Sequence, residues 1–225
     1  MTLPSYYIHD SGVTVIHETK RGVVTMSRPH IERKRKDKQR KILDAARLVF
    51  CRKGFLAVTM QDIIDECGIS RGGIYIYFAS VDEVFLELMK QRNMEGLTQI
   101  SNSVDAKTPF AEVLGEYLAK QKERLINFEN SLFRAYCEYI FSKPKAAVHA
   151  FRDSQLMQLR GSVEAILRLG LAQGAIPKDS NVSKLAVHLI VVVDGLSILA
   201  LGDALTECTV DAQFEILKNM IYGAK

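Results

Sequence analysis

Thr59-Met60-Gln61-Asp62-Ile63-Ile64-Asp65-Glu66-Cys67-Gly68-Ile69-Ser70-Arg71-Gly72-Gly73-Ile74-Tyr75-Ile76-Tyr77-Phe78 is the stretch that decides the fold. Thr59 is a good helix N-cap, and Asp62, three residues on, covers free amides and favours the positive helix end. Met60, Ile63, Ile64 and Cys67 share one helical face, and Gly68 stops the helix because it tolerates positive φ. Ser70 then caps a short helix running from Arg71 to about Tyr75. Two short helices joined through a glycine are the arrangement of a helix-turn-helix, although a helical hairpin with a frayed third element shares the pattern. Ile63, Ile64, Ile69 and Ile74 would lock the pair together, leaving Ser70, Arg71, Gly72 and Gly73 at an exposed leading edge. In such motifs that edge meets base edges in the major groove. Gly72-Gly73 weakens a helix by roughly 1 kcal/mol per residue relative to Ala. A bare backbone that approaches another surface closely is one reason to keep it.

Upstream, the pattern becomes helical from Asp37, with Ile42, Ala46, Val49 and Phe50 on one face. Gly54 ends that helix and would bring Phe55 back onto Phe50. Downstream, Ser80-x-x-Glu83 is a capping box before Val84, Phe85, Leu88 and Met89. Pro109 opens another helix, Leu132 to Ile140 gives an apolar stripe closed before Pro144, and a long helix follows to near Gly174. Two more cover roughly Val182 to Leu205 and Val210 to Tyr222. The expected class is all-α, about nine helices, with no hairpin signal after residue 40. Met1 to Ser27 reads as a weak hairpin around Gly12 and Gly22, a disordered arm, or an extension upstream of a natural start at Met26, and is assigned no function. The expected division is an N-terminal extension and basic arm (1–36), a DNA-binding domain (37–84) and a helical ligand-binding and dimerisation domain (85–225).

The 225 residues are 48% hydrophobic and 25% charged, the make-up of a globular protein. Net charge is only +4, but the window Arg28 to Lys41 carries +6 by itself, leaving −2 elsewhere. Such a run points to a polyanion: nucleic acid or an anionic membrane surface. Four scattered cysteines without a Cys-x-x-Cys pair read as neither a disulfide framework nor a zinc site, so a reducing, cytoplasmic compartment is expected. Leu185 to Leu201 nearly spans a bilayer by length, but Asp194 in its midst favours a buried interface helix. No metal-binding, nucleophile-elbow or phosphate-loop motif is found, so neither catalysis, cofactor nor metal is expected.

The residues Ile42-Leu43-Asp44-Ala45-Ala46, Phe50, Gly54-Phe55, Thr59-Met60-Gln61-Asp62-Ile63 and Cys67 through Phe78 resemble the DNA-binding region of the TetR family of bacterial transcriptional regulators. The resemblance covers about 45 residues with fixed spacing. It implies that Thr59 caps its helix and touches a phosphate, that Ser70, Arg71, Gly72 and Gly73 face the groove with Arg71 the base reader, and that Tyr75 and Tyr77 place hydroxyls on phosphates. The basic run, with Arg33, Lys34 and Lys36, would then be a flexible arm that reaches the minor groove and contacts phosphates. Two residues depart from the family pattern: Gly73 stands where many members have Thr or Ser, and Val81 where many have Lys.

The resemblance further implies a homodimer, with the last two helices forming a four-helix interface. Leu189, Val192, Val193, Leu196, Leu199 and Ala200, then Phe214 and Leu217, are its expected contacts, and the near-apolar character of Val182 to Leu205 supports this. A small-molecule pocket is implied as well, lined by Met89, Tyr117, Phe133, Tyr136, Tyr139, Met157 and Leu159, a mix suited to an apolar or aromatic ligand. His188 and Asp194 would be satisfied across the interface. The expected function is a ligand-responsive repressor that binds a palindromic double-stranded operator as a homodimer, is released by an effector, and does not engage membranes. The competing reading is a sequence-independent nucleic-acid-binding protein using the basic arm.

Overall fold

The structure is a computed structural model that describes the backbone of residues 5–9, 12–19, 22–26, 28–202 and 204–223, and side chains from residue 32 onward except 104, 105, 203, 224 and 225. From Arg28 onward all regular structure among the described residues is helical: α1 (Arg28–Lys53), α2 (Met60–Cys67), α3 (Arg71–Tyr75), α4 (Val81–Asp105), α5 (Phe110–Ile126), α6 (Leu132–Ser142), α7 (Lys145–Ala172), α8 (Val182–Leu201) and α9 (Glu207–Tyr222). A single 3-10 turn, Phe128–Asn130, separates α5 from α6. Before α1 the chain forms an antiparallel meander of β1 (Ser5–His9), β2 (Gly12–Thr19) and β3 (Gly22–Met26), in which Tyr7 pairs with Thr14 and His17 with Val24. The weak-hairpin option is thus extended by one strand. The turn residues 10–11 and 20–21 lie outside the described residues.

The first helix begins nine residues before Asp37, and the basic run is not a flexible arm but the first half of a 26-residue helix. Apolar periodicity starts late because Arg33 through Lys38 face solvent. Lys, Arg and Gln are strong helix formers, and Pro29 sits in the first turn, where its missing N–H is no loss. The start of α1 therefore needs no buried face.

Two hydrophobic cores organise the helices. One is built from Ile42, Val49, Phe50, Phe55, Ile63, Ile74, Phe78, Val84, Phe85 and Leu88, and it recruits Leu132, Ala135 and Tyr139 of α6 with Val148 of α7. The other joins α5, α7, α8 and α9 through Phe110, Leu114, Leu125, Leu167, Leu189, Val193, Val210, Phe214 and Leu217. Helix α6 thus packs with the N-terminal helices α1 to α4.

These cores correct several interface expectations. Leu189, Val193, Leu196, Ala200, Phe214 and Leu217 are all buried within the protomer, so their side chains fill its own core rather than an outward face. Val192 packs partly into the same core, and only Leu199 lies open. The outward apolar face of α8 is Val187, Val191, Ile198 and Leu201, and α9 adds Ile216 and Met220. An all-round apolar helix gives no sequence signal for which side turns inward. Helix α8 is long and apolar enough to cross a membrane by length and composition, yet it carries Lys184 and Asp194 and packs into the second core.

Candidate nucleic-acid interface and effector site

The reading head is assembled by local hydrogen bonds that the sequence specifies. Gly54, at φ +75°, ends α1, and Phe55 folds back to stack on Phe50 at 6.1 Å between ring centroids. Thr59 Oγ1 accepts from the Asp62 amide at 3.2 Å, while the Asp62 carboxylate accepts from the Thr59 amide at 2.9 Å, closing a capping box. Lys53 Nζ donates to the same carboxylate at 2.6 Å, and Arg52 pairs with Glu66 at 2.7 Å, so both ion pairs tie α2 to the end of α1. The bond from Lys53, then those from the Thr59 amide and hydroxyl, hold the Asp62 carboxyl down to about 2. Gly68, at φ +67°, caps α2 and turns the chain so that Ser70 Oγ accepts from the Gly73 amide at 3.2 Å. Ser80 Oγ caps α4 by accepting from the Glu83 amide, but the Glu83 carboxylate reaches back to the Ala79 amide at 2.6 Å, one residue before the cap.

The predicted DNA-facing residues emerge on one side of this scaffold. Ile74 and Phe78 are buried, which turns Ser70, Arg71 and Gly72 outward. Tyr75 is 45% exposed, Tyr77 half-buried against the core, and Gly73 half-buried beside Ser70. A Cβ on Gly72 would meet nothing within 4 Å, so no packing demand inside the chain requires glycine there. Ile76, which the sequence reading gave no role, is 71% exposed between the two tyrosines. Thr59 is exposed, and its hydroxyl already donates to Asp62 at 2.9 Å. Arg33, Lys34 and Lys36 are exposed on the first turns of α1. Val81 packs partly into the first core, which accounts for an apolar residue there.

Residues 42–88, which span this head, match the family described as bacterial regulatory proteins, tetR family. The HTH-type transcriptional regulator YfiR of Bacillus subtilis (strain 168) is 32% identical over 177 residues, covering 75% of this chain and 82% of that one. This chain belongs to the tetR family of bacterial regulatory proteins. The fold agrees: a transcriptional regulator from Saccharomonospora viridis in complex with choline superposes with a TM-score of 0.63 at 22% identity, covering 83% of this chain and 96% of that one. FadR of Bacillus subtilis in complex with stearoyl-CoA superposes with a TM-score of 0.58 at 18% identity, covering 83% and 99%. The protein is therefore a DNA-binding transcriptional regulator of the helix-turn-helix type.

In the regulator's second half the expected ligand-lining residues divide. Met157, at 73% exposure, and Leu159 point to solvent, so neither lines an internal site. Tyr139 is buried in the first core, edge-on to Phe55 at 4.9 Å, and Met89 packs against the same core. Met157, Leu159 and Tyr139 are corrected: their periodic positions put them on helices near a site but turned elsewhere, whereas Met89 is half-buried against the first core just as Tyr136 is. Tyr117, Phe133 and Tyr136 remain, half-buried on faces of α5 and α6. Phe133 stacks on Tyr136 at 5.8 Å and meets Phe128 edge-on at 5.9 Å.

The sequence reading missed the residue at the centre of this group. Arg124 lies two turns after Tyr117 on α5, and its guanidinium sits 4.2 Å over the Phe133 ring. Its Nη2 reaches Ser197 Oγ on α8 at 3.5 Å, a long contact, and its buried Nε has no hydrogen-bond partner. Burial pushes the Tyr117 hydroxyl up to about 12, and burial likewise raises Asp194, against the pull of Arg124. Within Lys120-Gln121-Lys122-Glu123-Arg124 an arginine reads as one more solvated charge, so only the tertiary structure distinguishes it.

Proposed function

We propose that the regulator is a homodimeric repressor that binds a palindromic operator and is released by a small molecule with an apolar or aromatic body. The observation carrying the DNA reading is the outward edge Ser70-Arg71-Gly72 with Tyr75 and Ile76, held by two satisfied caps while Ile74 and Phe78 anchor it from behind. Arg71 is suited to a bidentate guanine contact, Ile76 to a thymine methyl, and Tyr75 and Tyr77 to phosphates. Arg33, Lys34 and Lys36 add phosphate contacts from a helix, which gives them fixed directions that an arm lacks. The outward faces of α8 and α9 supply the dimer surface, and a two-fold axis there sets two reading heads about 34–36 Å apart.

The effector site is placed where α5, α6 and α8 converge around Tyr117, Phe133 and Tyr136. Regulators of this fold hold ligands as unlike as choline and stearoyl-CoA, so the fold leaves the ligand class to each chain's own residues. The test is a footprint on DNA upstream of the regulator's own gene. Protection of an inverted repeat, with at least about tenfold preference over scrambled duplex, supports the reading. Equal affinity for scrambled duplex would show sequence-independent coating instead.

A further inference from the structure

We infer that the effector is an organic anion, gripped through its acidic group by Arg124 while its body lies along Phe133 and Tyr136. This rests on the effector site proposed above and names the chemistry of its ligand. Three helix faces meet there: Tyr117 and Arg124 seven residues apart on α5, Phe133, Tyr136 and Cys137 within one turn of α6, and the buried Ser197 of α8, while Asp194, exposed between Val191 and Ile198 on the outward face of α8, acts on Arg124 through its charge alone. A guanidinium so placed normally has a carboxylate against it, because leaving a buried charge unpaired is strongly unfavourable. Among the described residues the one hydrogen bond of the Arg124 side chain is the long contact with Ser197, no carboxylate is within ion-pair distance of it, and its Nε is buried without an acceptor. The Ser197 hydroxyl is already committed to donating to the Val193 carbonyl at 2.8 Å, and its contact with Nη2 is long. Nε and Nη2 form the side of the guanidinium that binds a carboxylate through two parallel hydrogen bonds.

The surrounding charges select the same sign. Arg92 of α4 also acts on Arg124, and Arg152 of α7 acts on the Tyr136 hydroxyl, so that with Arg124 itself three guanidiniums stand against the carboxylates of Asp194 and of Glu138, the latter acting on Cys137. A cationic ligand would meet this excess and would find the Phe133 face already covered by Arg124. A neutral ligand would leave the charge uncompensated. Tyr136, stacked on Phe133, extends the apolar surface beyond the ring face that Arg124 covers.

Isothermal titration of the full chain with 2-naphthoate, 2-naphthamide and (2-naphthylmethyl)trimethylammonium tests this. The expected result is naphthoate about tenfold or more tighter than the amide, with the ammonium weakest. Arg124→Gln should abolish the preference for naphthoate without lowering the melting temperature of the unliganded protein. Asp194→Asn should widen that preference by removing a competing carboxylate. Equal binding of naphthoate and the amide, or a preference that survives Arg124→Gln, overturns the anion inference and leaves the effector site standing. Binding of none of the three, by protein that still retains operator DNA, overturns the effector site itself. Dissociation of the dimer in Arg124→Gln would show that the guanidinium serves a second protomer, which also overturns the inference.

Discussion

The carboxylate of Glu138 on α6 accepts a hydrogen bond from the backbone amide of Leu56 at 2.9 Å, joining residues 82 apart in sequence. Its other oxygen accepts from Arg134 Nε at 2.9 Å, and Lys143, at the end of the same helix, pairs with Asp82 at 2.5 Å. Helix α6 also carries Phe133 and Tyr136 of the proposed effector site. One rigid helix therefore touches both the ligand cluster and the turn that leads into the reading head, and a displacement of α6 must alter how α2 and α3 are presented.

Gly54 tests that link. A Cβ there would collide with the Glu138 carboxylate, and φ of +75° adds backbone strain. Gly54→Ala should destabilise the protein by about 2 kcal/mol, combining strain with loss of the Leu56 bond. Glu138→Ala, free of the strain, should cost about 1 kcal/mol and blunt effector-driven release of DNA. Thermal melts and DNA titrations with and without effector would check both, and undiminished release in Glu138→Ala would exclude this path.

The capping box predicts an acid-sensitive reading head. The Asp62 carboxyl titrates at about 2 in the folded chain, below the usual value near 3.9. A depressed carboxyl contributes stability that is full above the unfolded pKa and is lost as pH falls through the folded one. Asp62→Ala should cost about 1 kcal/mol at neutral pH, and the gap from the parent protein should close between about pH 4 and pH 2. Denaturant melts across that range give the measurement; a gap unchanged at pH 2 would contradict it.

Specificity and affinity should separate along the head. Arg71→Ala should weaken operator binding by about 1–3 kcal/mol and relax the preference at one base position, whereas replacing Lys34 and Lys36 should weaken all duplexes alike and flatten the salt dependence. Gly72→Ala divides stability from function. With nothing inside the chain near the new Cβ, α3 should gain about 0.5–1 kcal/mol, while DNA affinity falls if the backbone approaches the duplex there. Melting and fluorescence anisotropy with operator duplex read the two effects. Unchanged affinity in Gly72→Ala would show that the bare backbone serves no contact.

Much of this head was legible because its devices are local. Thr59 with Asp62, Gly68 and Ser70 act within four residues of chain, so spacing alone reveals them. The start of α1 was misread because an exposed basic helix buries nothing, and apolar periodicity is silent on it. Arg124 was missed because it is singled out only when α6 and α8 close over it. On α8 the expected interface took inward residues together with the exposed Leu199, because both faces are apolar and only the contacts with α5, α7 and α9 tell them apart.

The outward face of α8 is the one available for assembly. Ile198 is 62% exposed and Val191 61%, both on the outward face of α8, and Ile216 and Met220 of α9 are exposed as well. A glutamate at Ile198 meets water in the isolated protomer, so Ile198→Glu should change its stability by no more than about 0.5 kcal/mol. In a dimer closed through this face two such carboxylates would be buried near the two-fold axis without partners, which is strongly unfavourable. Analytical ultracentrifugation should then show monomers where the parent protein is dimeric. Operator affinity should fall with it, because only one half-site is engaged at a time. A Leu189→Ala comparison separates the two faces: that side chain is buried in the protomer, so the loss should appear as about 2–5 kcal/mol of stability. If Ile198→Glu remains dimeric, the α8–α9 face is not the interface, and the spacing of the two heads must be set elsewhere.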